Sequence, residues 1–275
     1  MSELHVRTYG EHGPFVVLLH GGPAAPGSLA PLGRALADGF RVLEPWQRGA
    51  GEQPLDVARH IEDLRALIAS RCDGERPVLV GHSWGAMLAL AFGAAHPGDV
   101  SGLALVGCGT FDEAGRDEFR QRFEAALDER PDIREALDRL RTDETDPDRR
   151  LAAMGSCIGP LYGSPGVAPD DPRDLGPCDA RAHRETWGDM LRLQADGLYP
   201  SAFAAIDVPV LLLHGELDPH PGALIAESLR AHMPQLELHS WARCGHSPWL
   251  EPDVRDDFVE RLRAWLNETA PRTAS

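Results

Sequence analysis

The sequence predicts an α/β protein in which a mostly parallel sheet carries helices on both faces and receives a helical cap insertion. Apolar, β-branched segments alternate with helix-like segments through most of the chain, as a parallel sheet with crossover helices requires. The alternation stops between about residues 111 and 200, where the pattern indicates helices alone. A serine between glycines also stands where one predicted strand gives way to a helix.

Seven segments have the apolar character of buried strands. They are residues 4–9, 15–20, 40–44, 77–80, 103–107, 208–214 and 236–241. Helical segments are predicted between most of them, at residues 30–37, 54–70, 84–95, 222–231 and 252–266. The sheet is therefore expected to be covered on both of its faces.

The interruption predicts a cap (residues 111–200) between two parts of an α/β core (residues 1–110 and 201–275). Acidic residues and arginines dominate residues 111–150, and the few apolar side chains recur at helical spacing. Residues 155–178 are rich in glycine and proline, which predicts an irregular connection, and residues 179–195 resume the helical spacing. Ligands bind such sheets outside the carboxyl ends of the strands, so the cap is expected to shape the pocket.

Composition limits the classes of function. The 275-residue chain has 43% hydrophobic and 25% charged residues, which is ordinary for a soluble globular protein. Its net charge of −16 disfavours nucleic acid and membranes as partners, and a small-molecule substrate is expected instead. All 27 basic residues are arginine, and the absence of lysine excludes Schiff-base chemistry and a P-loop.

Other sequence features bear on compartment and cofactors. No apolar run reaches about 18 residues and no secretory signal is visible, so a cytoplasmic protein is expected. The five cysteines are scattered without a C-x-x-C pair, which indicates reduced thiols. The histidines form no metal-ligand spacing, so neither a metal nor a cofactor is expected, and the oligomeric state stays open.

The glycine-flanked serine predicts a nucleophile. In Gly81-His82-Ser83-Trp84-Gly85 the turn from strand to helix is so tight that its central residue must be strained. Ser83 would then project at the carboxyl end of the strand, as in the G-x-S-x-G nucleophile elbow. A small-residue turn with a solvated serine is the alternative interpretation.

A serine nucleophile needs an acid and a base, expected downstream in that order. Asp218 follows the strand at 208–214 and is favoured over Glu216, which is closer to the strand and has no proline after it. His246 lies on a loop after the last strand and is the predicted base. His220 and His239 are the alternatives, whereas His82 is too close to Ser83 in sequence to approach its hydroxyl.

Two backbone N–H groups are expected to stabilise an oxyanion. One belongs to Trp84, at the start of the helix after the serine. The other is assigned to Gly22, with Gly21 as a close second and a substrate contact, because glycines let the backbone approach a substrate.

Together these motifs resemble those of the α/β-hydrolase superfamily, and within it those of the proline iminopeptidases. That family carries H-G-G-P-G, D-Q-R-G-x-G and G-G-S-W-G, and this chain has HGGPA at 20–24, WQRGAG at 46–51 and GHSWG at 81–85. The departures are Ala24, Trp46 and His82. The resemblance implies the α/β-hydrolase fold and a Ser-His-Asp triad acting through an acyl-enzyme.

The expected function is a cofactor-independent serine hydrolase acting on a small ester, lactone or amide. An iminopeptidase-like aminopeptidase and a non-catalytic small-molecule receptor on the same fold are the alternatives. Relatives with dehalogenase or epoxide hydrolase chemistry place an aspartate where Ser83 stands, so those activities are disfavoured. Three residues of the cap are candidates for substrate contacts: Glu185, as a carboxylate for a free amine, and Trp187 and Met190, as apolar wall.

Overall fold

A seven-stranded sheet forms the centre of the molecule, which a computed structural model describes over residues 4–23, 26–164 and 171–271. The strands are β1 (Val6–Tyr9), β2 (Phe15–Leu19), β3 (Arg41–Pro45), β4 (Val78–His82), β5 (Gly102–Val106), β6 (Val210–Gly215) and β7 (Leu236–Trp241). Their order is β1-β3-β2-β4-β5-β6-β7. Only β1 runs antiparallel to its neighbour, so the prediction of a mostly parallel sheet is confirmed.

Helices cover both faces of this sheet. The helices of the core are α1 (Ala30–Leu36), α2 (Val57–Arg71), α3 (Trp84–Ala95), α8 (Gly222–Arg230) and α9 (Arg255–Thr269). Helices α4 to α7 belong to the cap and are described below. Neighbouring residues of β4 enter opposite apolar clusters, Leu79 with Phe92 of α3 and Val80 with Phe258 of α9. This alternation is what a strand buried on both faces produces.

The cap consists of α4 (Glu113–Asp128), α5 (Pro131–Asp143), α6 (Pro147–Ile158) and α7 (Ala180–Ala195). These four helices follow β5 and precede β6 in the chain. A small apolar core is formed by Leu127 of α4, Ile133 and Leu137 of α5 and Leu161 after α6, and Met154 and Ile158 of α6 pack against it. None of the described helices is long and apolar enough to cross a membrane.

The structure differs from the sequence prediction at α6. The irregular connection was expected from residue 155, but α6 continues to Ile158 and is followed by a 3-10 turn, Gly159–Leu161. Asp146 caps the helix by accepting hydrogen bonds from the N–H groups of Asp148 and Arg149. A glycine at 155 is tolerated inside the helix because the packing and the cap outweigh its weak helix propensity.

Helix α7 is held to the core by three of its own carboxylates, each of which accepts a backbone N–H. Asp179 accepts from Ala50 at 2.7 Å, Glu185 from Leu55 at 2.9 Å and Asp189 from Val57 at 2.9 Å. A buried hydrogen bond of 3.0 Å between Nε2 of His60 and Oγ1 of Thr186 adds a side-chain contact. These contacts fix α7 against the loop after β3 and the N-terminus of α2.

Candidate active site

Ser83 stands at the carboxyl end of β4 in a strained conformation. Its φ of 54° and ψ of −119° lie where side-chain-bearing residues are rare, and α3 begins at the next residue. Its N–H donates to the carbonyl of Val106 at 2.8 Å, which ties the turn to β5. A Cβ at Gly85 would lie 1.9 Å from the carbonyl oxygen of Leu19, so the turn can pack against β2 only with glycine there.

The structure brings the predicted acid and base together. Nδ1 of His246 donates to Oδ2 of Asp218 at 2.6 Å, although 28 residues separate them in the chain. Asp218 is 1% exposed, whereas Glu216 is exposed and accepts a hydrogen bond from Ser240. His239, one of the alternative bases, lies on β7 with its ring 4.5 Å from that of Trp241.

Asp218 obtains its hydrogen bonds from histidines. The backbone N–H and Nδ1 of His220 both donate to Oδ1, each at 2.9 Å. Burial by itself would raise the pKa of Asp218, but the charges of His246 and His220 and the hydrogen bonds from both rings hold that pKa well below its usual value. The carboxylate is therefore ionised at neutral pH and can stabilise a protonated imidazole. His220, which the sequence suggested only as a spare base, thus contacts the acid.

His82, the residue before Ser83 in the elbow, contacts the loop of His246. Its Nε2 donates to the carbonyl oxygen of His246 at 3.1 Å, and the two rings are 4.5 Å apart. Burial, aided by the charge of His246, lowers the pKa of His82 well below the ordinary histidine value. His82 is therefore neutral at neutral pH and supports the loop of His246.

The predicted oxyanion loop lies directly against Ser83. A Cβ on Gly21 would be 3.0 Å from Cβ of Ser83, so the two backbones are in close contact. Gly22 has a φ of 107°, which favours glycine, and it is exposed. Ala24, one departure from the iminopeptidase motif, lies outside the described residues.

Gln47 links the side chain of Trp84 to His20, which directly precedes the predicted oxyanion loop. Its Oε1 accepts from Nε1 of Trp84 at 2.7 Å, and its Nε2 donates to the carbonyl of His20 at 2.8 Å. Its backbone N–H donates to Nε2 of His20 at 3.0 Å. The only available signal was its place in the WQRGAG motif.

His183, near the start of α7, is a second residue near the site that no sequence motif indicated. Its ring is hydrogen-bonded to the backbone of Gly22, so the cap touches the predicted oxyanion loop. Burial lowers the pKa of His183, and this effect outweighs the opposing effect of the hydrogen bond.

The three cap candidates have different surroundings. Both oxygens of Glu185 are engaged, one by the N–H of Leu55 and the other by Arg181 at 2.7 Å, so neither is free for an amine. Met190 is fully buried in the large apolar cluster of the core. Trp187 packs edge-on against Trp84, with the ring centroids 6.5 Å apart, and is the cap candidate next to the elbow.

Among the described residues, one cluster has ligand atoms close enough for a metal ion. It consists of Asp218, His220 and His246, whose atoms lie within 4.8 Å of one another. In this geometry both imidazoles donate N–H groups to the carboxylate, so protons occupy the positions that a metal would take.

Comparisons with known proteins identify the family and the fold. A model of the alpha/beta hydrolase family matches residues 16–260. An uncharacterized protein of Mycobacterium tuberculosis is 26% identical over 273 residues, which cover 94% of this chain and 77% of that protein. A proline iminopeptidase of Neisseria gonorrhoeae is 33% identical over 122 residues, 39% of this chain and 38% of that protein.

A cis-3-alkyl-4-alkyloxetan-2-one decarboxylase of Shewanella oneidensis is 30% identical over 118 residues, so the match spans 40% of this chain and only 37% of that protein. Two solved structures share the fold over nearly their whole length. An enol-lactonase of Burkholderia xenovorans has a TM-score of 0.67 at 19% identity, with 96% of each chain covered. An esterase of Exiguobacterium antarcticum has a TM-score of 0.63 at 21% identity, with 96% of this chain and 95% of the esterase covered.

Proposed function

The chain belongs to the alpha/beta hydrolase family, and we propose that it is a cofactor-independent serine hydrolase acting on a small ester, lactone or amide. The observation that carries the proposal is the strained Ser83 at the end of β4, together with the hydrogen bond between the buried Asp218 and His246, whose loop contacts His82, the residue before Ser83. A binding protein would need neither the strain nor the pair. The esterase and enol-lactonase that share the fold favour the ester and lactone end of this range.

The proposed reaction follows from these positions. Oγ of Ser83 attacks the acyl carbon, and His246 takes the hydroxyl proton while Asp218 stabilises the resulting imidazolium. The N–H groups of Trp84 and Gly22 stabilise the oxyanion of the tetrahedral intermediate. His246 then protonates the leaving group and activates the water that hydrolyses the acyl-enzyme.

Aminopeptidase activity of the iminopeptidase type is less well supported. It would require a carboxylate free to bind the substrate's ammonium group. The carboxylates of α7 that face the core, Asp179, Glu185 and Asp189, each already accept a backbone N–H. We therefore expect p-nitrophenyl esters to be better substrates than aminoacyl arylamides.

Ser83→Ala tests the proposal. The variant should lose kcat/KM on p-nitrophenyl esters by about 10⁴-fold or more, since triad members act as a unit. It should also lose labelling by a fluorophosphonate probe. Its melting temperature should match that of the wild type, which shows that the variant is folded. Ser201→Ala, at an exposed serine outside the site, is the matched control and should stay active. Near-native turnover by folded Ser83→Ala would refute the proposed nucleophile.

A further inference from the structure

Glu251 is a buried carboxylate to which the proposed reaction assigns no role. It is 2% exposed. The neighbouring arginines pair elsewhere, Arg255 with Asp256 and Arg243 with Asp253. A carboxylate buried without a cation must find N–H donors, because its desolvation is otherwise uncompensated.

Those donors come from two segments that are distant in sequence. Oε1 of Glu251 accepts from the N–H of Gly245 at 2.8 Å and from the N–H of Ser164 at 3.1 Å. Gly245 immediately precedes the proposed base, and Ser164 follows the 3-10 turn after α6 in the cap. One carboxylate oxygen thus joins the loop of His246 to the cap.

The same two segments are also in direct contact. The N–H of His246 donates to the carbonyl of Tyr162 at 2.6 Å, and Oγ of Ser164 donates to the carbonyl of Arg243 at 3.2 Å. A Cβ on Gly245 would lie 2.1 Å from the carbonyl oxygen of Tyr162, so these backbones touch. We call residues 162–164, residues 243–246 and Glu251 the base clamp.

We propose that Glu251 is a positioning residue for His246 and that, through it, the cap segment 162–164 sets the place of the base. The inference rests on the proposed role of His246. His246 stands on a loop without regular secondary structure, so the backbone contacts of the clamp define where its ring lies. The ring of Tyr162 lies 5.2 Å from that of His246 and packs on the same side chain. The cap would thereby act on the proton transfer.

Three variants test the clamp through steady-state kinetics on a p-nitrophenyl ester. Glu251→Ala removes the shared acceptor and should lower kcat by about 10- to 100-fold, since misplacement by about 1 Å can cost about 10²-fold. KM should change much less, because no substrate contact is removed. Glu251→Gln keeps an accepting oxygen and should recover most of the loss. Asp253→Ala removes an exposed acid from the same loop and should match the wild type.

Gly245→Ala tests the clamp without altering Glu251. The added methyl group would meet the Tyr162 carbonyl, so the loop must shift and kcat should fall as it does for Glu251→Ala. If Glu251→Ala does not fold, the kcat of Gly245→Ala still tests whether the clamp positions His246. Wild-type kcat in folded Gly245→Ala, or in folded Glu251→Ala, would overturn the proposal.

A measurement independent of turnover separates this proposal from the proposed function. The proton between Nδ1 of His246 and Asp218, in a 2.6 Å hydrogen bond, should give a downfield proton NMR signal. Glu251→Ala should shift or broaden it, and Asp253→Ala should leave it in place. An unchanged signal in Glu251→Ala would refute the clamp. Full activity in Ser83→Ala would refute the serine mechanism and leave this NMR test of the clamp valid.

Discussion

At the scale of single residues, Ser83 holds a conformation that glycine would adopt more easily. Its φ of 54° and ψ of −119° carry strain of about 1–3 kcal/mol for a residue with a Cβ. Ser83→Gly should therefore raise the free energy of unfolding by about 1 kcal/mol, after the higher entropy of unfolded glycine is allowed for. Ser83→Ala keeps the Cβ and should leave that free energy nearly unchanged. Urea unfolding of both variants checks this, and equal stabilities would contradict it.

Gln47 should matter for catalysis although it contacts no reacting atom. Gln47→Leu removes its side-chain hydrogen bonds to the indole of Trp84 and to the carbonyl of His20, and so loosens the link between the helix start after Ser83 and the segment before the proposed oxyanion loop. We expect kcat on a p-nitrophenyl ester to fall by about 10-fold, the effect of about 1.4 kcal/mol on the barrier.

The matched control is Gln235→Leu. Gln235 also donates to backbone carbonyls, those of Ile206 and Val208, but it contacts none of the proposed catalytic residues. Gln235→Leu should lower the melting temperature and leave kcat unchanged. The assignment of Gln47 fails if both variants lose kcat equally.

The sequence identifies residues that belong to motifs and misses those that act through backbone atoms. Ser83, Asp218 and His246 could be proposed because the order of strand ends and loops marks each of them. Gln47, His183 and Glu251 hydrogen-bond to backbone groups far away in the chain, and a backbone group has no signature in the sequence. Glu185 also accepts a backbone N–H, that of Leu55, and its contact with a substrate amine stays a prediction.

At the scale of elements, α7 depends on carboxylates that accept backbone N–H groups. Asp189→Ala would leave the N–H of Val57 without its acceptor and should lower the free energy of unfolding by about 1–3 kcal/mol. Asp196→Ala is the control on the same helix, since Asp196 is 58% exposed and pairs with Arg192 at the surface. It should change stability by no more than about 0.5 kcal/mol. Equal effects, measured by chemical denaturation, would mean that the α7 contact is not stabilising.

The elements themselves were largely predictable. All seven strands of the described sheet correspond to predicted apolar segments. In β2, β4, β5 and β6, burial on both faces leaves an unbroken hydrophobic pattern, whereas the edge strands β1 and β7 are only partly buried. The end of α6 and the start of α9 were misplaced. Gly155 favours irregular backbone and Pro252 favours a helix start, but tertiary packing decides where each helix begins and ends.

At the scale of the whole molecule, buried histidines should make the protein sensitive to acid. Burial lowers the pKa of both His20 and His60 from 6.5 to about 4. Because the folded pKa is depressed, their contribution to stability is complete above pH 6.5 and is lost as pH falls towards 4. Over that range each histidine should reduce the free energy of unfolding by about 1.4 kcal/mol per pH unit.

Urea unfolding at pH 7.5, 6 and 5 measures this slope. His60→Gln cannot titrate at that position and should flatten the slope by about 1.4 kcal/mol per pH unit, whatever its stability at pH 7.5. A slope identical to that of the wild type would show that His60 does not bind its proton on unfolding in this range.

The attachment of α7 has a consequence for engineering. Its three carboxylates contact main-chain N–H groups at positions 50, 55 and 57, and every amino acid except proline supplies such a group. In these three contacts the helix carries the chemical specificity, and the core contributes only the path of its backbone. A chimera that transplants this helix onto another scaffold needs a loop of the same shape and no matching side chains at those positions.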